Sequence, residues 1–138
     1  MFVYGTLMFP EVWERVVQTK SWGRPGVLKD YRRFKVNIRD VGNYPAIVPE
    51  KGATVTGLVM YDLSEEQVTL ADHFEGIAAP SRPYFRKQLT IVLDDETVQA
   101  NAYVAGPGLM EYLGGPWDPI AFRQNELEHY LRLIDGWM

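Results

Sequence analysis

The chain predicts an α+β fold with a curled or barrel-like sheet. Strands outnumber helices along it, and consecutive strands look joined by hairpins as often as by helices. No repeat, low-complexity stretch or linker divides the 138 residues, so one domain spanning 1–138 is expected, and 46% hydrophobic with 13% aromatic residues suffices for a real core.

The first element is a short apolar strand at Phe2-Val3-Tyr4 that breaks into a glycine turn at Gly5-Thr6-Leu7. A helix follows: Pro10 suits its first position and Glu11 the positive end of its dipole, and Val12, Trp13, Val16 and Val17 fill one face. Trp22 to Pro25 reads as a loop and Val27 to Ile38 as a half-exposed strand. Gly42-Asn43-Tyr44-Pro45 predicts a turn, Ala46-Ile47-Val48 a short buried strand ended by Pro49, and Lys51-Gly52 a second turn. Thr54 to Leu63 is a strand in which Gly57 marks a bulge or a close backbone contact.

Ser64 stands three residues before Gln67, a capping-box spacing, and opens a helix with Val68, Ala71 and Phe74 on one face that stops at Gly76. Ile77 to Pro83 reads as a loop. Tyr84 to Leu93 and Val98 to Ala105 form a hairpin around Asp94-Asp95-Glu96-Thr97. Gly106 to Pro116 is irregular or a short helix around Met110. Asp118-Pro119 starts a last helix with Phe122, Leu127, Tyr130, Leu131 and Ile134 on its apolar face, ending at Gly136.

Several classes of function are disfavoured. Fourteen Lys and Arg against eighteen Asp and Glu leave a net charge of −4, against nucleic-acid binding. The absence of cysteine excludes disulfides, thiol catalysis and thiolate metal sites. No segment reaches the roughly 18 apolar residues of a bilayer span, and a signal peptide is not evident, so a cytoplasmic protein with no membrane partner is expected. His73 and His129 lie far apart without ligand-like spacing, so no metal site is expected. Gly-x-Ser-x-Gly, GxGxxG and Walker patterns are missing.

Two features carry chemistry. The glycine turn is either ordinary punctuation between strand and helix or an anion cradle built from main-chain amides. Glu75, between Phe74 and Gly76 at a helix end, is either a solvated charge or a carboxylate projecting into a partly apolar pocket. In the second case burial raises its pKa into the range of a proton shuttle. His73 is a weaker candidate for a base. Arg32, Arg33, Arg82 and Arg86 receive no role, and Asp72 reads as a surface residue or local acceptor.

Six segments in order resemble the γ-glutamylcyclotransferase-like superfamily, most closely its branch of plant avirulence-induced proteins and γ-glutamylamine cyclotransferases. They are Val3-Tyr4-Gly5-Thr6-Leu7, Tyr44-Pro45-Ala46-Ile47-Val48-Pro49, Thr56-Gly57-Leu58-Val59-Met60-Tyr61, Asp72-His73-Phe74-Glu75-Gly76, the pair Tyr84 and Arg86, and Ala102-Tyr103-Val104. The resemblance implies a small mixed β-barrel flanked by helices. It places Glu75 as the catalytic glutamate, Tyr4, Gly5, Thr6 and Leu7 in the substrate-binding loop with Met8 and Phe9 as its extension, and Tyr103 facing the pocket. Ala71, where relatives usually have a larger aliphatic residue, and the long Ile77 to Pro83 segment depart from the pattern.

The implied reaction is cofactor-independent cyclisation of a γ-glutamyl group to 5-oxoproline with release of an amine, on a small-molecule substrate, by a monomer or homodimer. Phe2, Tyr4, Phe74, Tyr84 and Tyr103 are candidate dry walls. A ligand-binding member without activity, an enzyme acting on another acyl-amine and an interaction domain are the alternatives.

Overall fold

A computed structural model describes residues 1–38, 42–75 and 83–137. The strands are β1 (Phe2–Val3), β2 (Gly23–Ile38), β3 (Gly42–Met60), β4 (Tyr84–Val92), β5 (Thr97–Ala105) and β6 (Leu113–Pro116). The helices are α1 (Pro10–Val17), α2 (Glu65–Phe74), α3 (Pro119–Asn125) and α4 (Leu127–Trp137), with 3-10 turns at Thr6–Met8 and Pro107–Tyr112. The sheet is antiparallel in the order β1-β3-β2-β4-β5, with β6 alongside β2.

The α+β expectation holds, and the word barrel needs correction. The sheet curls without closing: among the described residues no strand pairing joins β1 to β5. The curl nevertheless brings its two ends together, and the Tyr4 hydroxyl, just after β1, donates to the Tyr103 carbonyl of β5 at 2.5 Å.

Strand alternation divides the interior into two cores. Phe2, Ile47, Val59 and Val104 lie in the cluster inside the curl with Leu28, Leu89 and Ile91. Their neighbours Val3, Ala46, Met60 and Tyr103 belong to the second cluster, with α1 and the C-terminal helices. The face expected for α1 is entirely buried there: Val12, Trp13, Val16 and Val17 are each 2% exposed or less.

The hairpin of β2 and β3 departs most from expectation. The two strands expected on either side of Lys51-Gly52 are one strand, because the turn is a bulge inside it. Lys29 pairs with Thr54 and Tyr31 with Pro49, so four residues oppose Asp30. Asp30 and Gly52 take positive φ angles of 64° and 86°, and the Asp30 carboxylate accepts the Gly52 amide at 2.9 Å. This satisfies a donor that the bulge lifts from the ladder. The turn expected at Gly42-Asn43-Tyr44-Pro45 is also strand, since Tyr44 and Pro45 pair with Val36 and Lys35. Tertiary pairing overrides the local turn preference.

The capping box at the start of α2 is formed in both directions, by Gln67 N to Ser64 Oγ at 3.2 Å and Ser64 N to Gln67 Oε1 at 2.8 Å. The β4–β5 hairpin forms as expected. Gly106 to Pro116 contains the 3-10 turn and β6, the latter unforeseen. The single last helix is two, broken at Glu126, whose φ of −131° departs from helical geometry. The helix stop at Gly76 and the loop from Ile77 to Pro83 fall outside the described residues, apart from Pro83 itself.

Gly57 is the close contact foreseen from the sequence. A Cβ there would collide with the Val3 carbonyl and come within 2.8 Å and 2.9 Å of the Phe2 ring. Gly57→Ala should therefore destabilise the protein by about 1–3 kcal/mol through displaced backbone, measured as a lower urea midpoint at unchanged m-value; an unchanged midpoint would refute this role.

Candidate active site

The site begins where β1 ends. The Pro45 side chain occupies the space that a Cβ on Gly5 would take, so the chain can pass closely over β3 only with glycine there. Thr6–Met8 then coils as a 3-10 turn, held by Met8 N to Gly5 O at 2.9 Å and Phe9 N to Thr6 O at 3.1 Å. Arg33, on β2, fixes the approach to this turn: its Nη1 donates to the Tyr4 carbonyl at 2.6 Å and its guanidinium lies 5.2 Å from the centre of the Trp117 ring. Burial pulls the Arg33 pKa below its ordinary value.

The turn forms one wall of a cavity of about 160 Å³. Phe2, Val3, Tyr4, Gly5, Thr6 and Leu7 line it from the N-terminus, Tyr44 and Pro45 from β3, Phe74 and Glu75 from the end of α2, Pro83, Tyr84 and Tyr103 from the β4–β5 hairpin, and Tyr130 from α4. Of the residues expected in the site, Tyr4, Gly5, Thr6, Leu7, Glu75 and Tyr103 come together here, as do all five expected aromatic walls. Met8 and Phe9 do not line the cavity. Their amides are used inside the 3-10 turn, and the Phe9 ring is buried 5.6 Å from Phe122 in a stacked pair. His73 is exposed and outside the lining.

Glu75 caps α2, donating its amide to the Ala71 carbonyl at 3.0 Å, and its side chain enters the cavity wall. Burial pushes its pKa up, to about 8, and among the described residues no hydrogen bond or cation opposes it. Five tyrosines surround it closely enough to feel its charge. Tyr44 is pushed up to about 12, and Tyr4, Tyr84, Tyr103 and Tyr130 are raised further, in every case first by burial.

Three of these hydroxyls already spend their protons on protein acceptors. Tyr4 donates to Tyr103 O, Tyr84 to Pro45 O at 2.7 Å and Tyr103 to Asp72 Oδ1 at 2.7 Å. Tyr130 and Thr6 share a further hydrogen bond of 3.3 Å. The arrangement is therefore a mostly aromatic chamber with one basic carboxylate. Among the described residues no group of three or more His, Asp or Glu side chains gathers as a metal-ligand set.

Sequence reasoning missed Tyr44, Pro45 and Tyr130 as wall residues, and Arg33 and Asp72 as residues that hold the wall in place. Tyr44 and Pro45 stood in a segment that carried the family resemblance, but Tyr130 was indistinguishable from an ordinary apolar helix position.

The curled antiparallel sheet thus brings a strand–glycine turn and a helix-end glutamate to the wall of one cavity. The chain belongs to the family described as gamma-glutamyl cyclotransferase, AIG2-like, whose sequence pattern matches residues 1–119. It is 31% identical over 140 residues to AIG2-like protein D of Arabidopsis thaliana, covering 96% of this chain and 84% of the relative. AIG2-like protein C of the same plant is 29% identical over 133 residues, with 95% and 73% covered. Among solved structures, an Arabidopsis thaliana protein matches with a TM-score of 0.68 at 25% identity, covering 99% of this chain and 85% of that one. A gamma-glutamyl cyclotransferase has the same fold, with a TM-score of 0.69 at 14% identity and 98% and 85% covered.

The buried carboxyl makes a prediction about stability. Its folded pKa of about 8 lies above the ordinary 4.5, so the native state binds the proton more tightly than the unfolded chain between those values, and stability falls as pH rises through them. Glu75→Gln should remove this loss. Relative to wild type it should gain on the order of 3 kcal/mol between pH 5 and pH 9, allowing for solvent reaching a half-buried residue. Urea denaturation of both proteins at the two pH values checks this, and parallel pH dependence would show that Glu75 is an ordinary solvated carboxylate.

Proposed function

We propose that this protein cyclises a γ-glutamyl group to 5-oxoproline and releases an amine, with Glu75 as the acid and base. The observation that carries this reading is a carboxyl group raised to about 8 in the wall of the cavity that the Gly5 turn also lines. Membership of the gamma-glutamyl cyclotransferase, AIG2-like family supports the same chemistry.

The substrate's α-amine must lose a proton before it has a lone pair. Glu75 takes that proton, the freed amine attacks the substrate's own γ-carbonyl carbon, and a five-membered ring closes. The ring nitrogen now carries a positive charge and one proton too many; Glu75, its first proton passed to water, takes this second one, and as the tetrahedral carbon collapses the bond to the departing nitrogen breaks and Glu75 delivers the proton to it. One carboxyl thus serves both steps, and no redox partner or external nucleophile enters the balance.

An α-amino group titrates near pH 8 in the absence of perturbation. A carboxyl with a pKa of about 8 exchanges a proton with it at almost no thermodynamic cost, whereas an ordinary carboxylate near 4.5 would be several powers of ten too weak a base. The narrow chamber favours a folded-back glutamyl chain, and such positioning contributes up to about 7–11 kcal/mol in intramolecular reactions. The Gly5-Thr6-Leu7 turn is the part of the wall suited to holding the substrate carboxylate or the developing oxyanion.

Screening γ-glutamyl amino acids, γ-glutamyl-ε-lysine and glutathione for 5-oxoproline tests the activity and identifies the amine. With an active substrate, Glu75→Gln should lower kcat by about 100- to 10,000-fold. Wild-type kcat/KM should rise with pH toward about 8, because the protonated carboxyl cannot accept the ammonium proton. A folded Glu75→Gln protein with wild-type turnover would overturn the assignment.

A further inference from the structure

Asp72 sits one helical turn before Glu75 and joins two partners that the cyclisation reaction does not itself require. Its Oδ1 accepts the Tyr103 hydroxyl at 2.7 Å, and its Oδ2 accepts Arg86 Nη1 at 2.6 Å. The residues come from three elements: Asp72 from α2, Arg86 from β4 and Tyr103 from β5, where Arg86 and Tyr103 are directly paired across the ladder. The Asp72–Arg86 ion pair is partly exposed, with side chains 25% and 36% accessible, so its contribution to stability is small. Its geometric effect is larger, because it orients a cavity hydroxyl.

A tyrosine hydroxyl has one proton to give. If Tyr103 gave it to Glu75, a hydrogen bond to the carboxylate would favour the charged form and lower its pKa. The structure has that proton on Asp72 instead. We propose that Asp72, clamped by Arg86, is a positioning residue that draws the Tyr103 proton away from Glu75 and so keeps the Glu75 carboxylate without a donor. Tyr103 then turns acceptor lone pairs, not its proton, toward the rest of the cavity.

Two of the other tyrosines near Glu75, Tyr4 and Tyr84, have protein acceptors of their own in the carbonyls of Tyr103 and Pro45, and in the Thr6–Tyr130 pair either hydroxyl can be the donor. Tyr44, from β3, stays beside Tyr84 with ring centres 6.4 Å apart. Tyr103 is the wall tyrosine whose acceptor is another carboxylate, and a single side-chain change removes that acceptor's charge. This inference rests on the proposed use of Glu75 as a base, but its test reads the carboxyl directly and needs no substrate.

The experiment is a carboxyl carbon NMR titration of Glu75 in the full chain, comparing wild type with Asp72→Asn, Tyr103→Phe and the double variant. Asp72→Asn should move the Glu75 titration from about 8 to below about 7, as the hydroxyl swings to the stronger acceptor. The double variant should return it to the wild-type position, which separates the hydroxyl from the mere loss of a charge or the release of Arg86. Tyr103→Phe alone should leave it there too.

An unshifted titration in Asp72→Asn, or a shift that survives in the double variant, would overturn the proposal. So would a rise in Tyr103→Phe, which would mean that the hydroxyl already serves Glu75, and this arm stands even if Asp72→Asn does not fold. Failure to release 5-oxoproline would count against the proposed function and leave this titration unchanged.

Discussion

The site depends on lodging one half-buried carboxyl group in a mostly aromatic wall where no described residue pairs with it. Burial of an unpaired carboxylate is unfavourable, and proteins normally relieve it with a cation or donated hydrogen bonds. At Glu75 neither is found among the described residues, and the pKa rises to about 8. The surrounding fold must be stable enough to tolerate this. The two cores on either side of the sheet provide that stability, one inside the curl and the other beneath the helices.

The chamber around Glu75 follows from how the two ends of the sheet meet. Gly57 lets β1 lie against β3, Gly5 lets the chain cross Pro45, and Arg33 holds the Tyr4 carbonyl. Tyr4 then reaches Tyr103 across the open edge. These contacts join residues far apart in sequence, Tyr4 and its acceptor standing 99 positions apart. Loss of any one would loosen the wall opposite the carboxyl without touching the carboxyl itself.

Much of this was legible in the sequence because it is local. Pro10, the apolar face of α1, the Ser64–Gln67 capping box and the β4–β5 hairpin are written in neighbouring residues and form as read. Gly5 and Glu75 were legible as candidates, each with an ordinary local alternative, and the family resemblance singled them out. Arg33 and Asp72 were not. Each looks like a surface charge until a partner 29 or 31 positions away arrives, and only tertiary structure supplies that partner. The Lys51-Gly52 turn failed for the same reason: Asp30, on the opposite strand, turns a local turn signal into a bulge. The resemblance to a barrel family likewise overstated closure, which is a property of strand pairing and not of any single strand.

The most direct measurement is the infrared carboxyl spectrum of the wild type minus that of Glu75→Gln across pH 6 to 10. A buried, donor-free Glu75 predicts a protonated carboxyl band at pH 6 that converts to carboxylate with a midpoint of about 8. A carboxylate band already complete at pH 6 would show an ordinary surface glutamate and contradict the account.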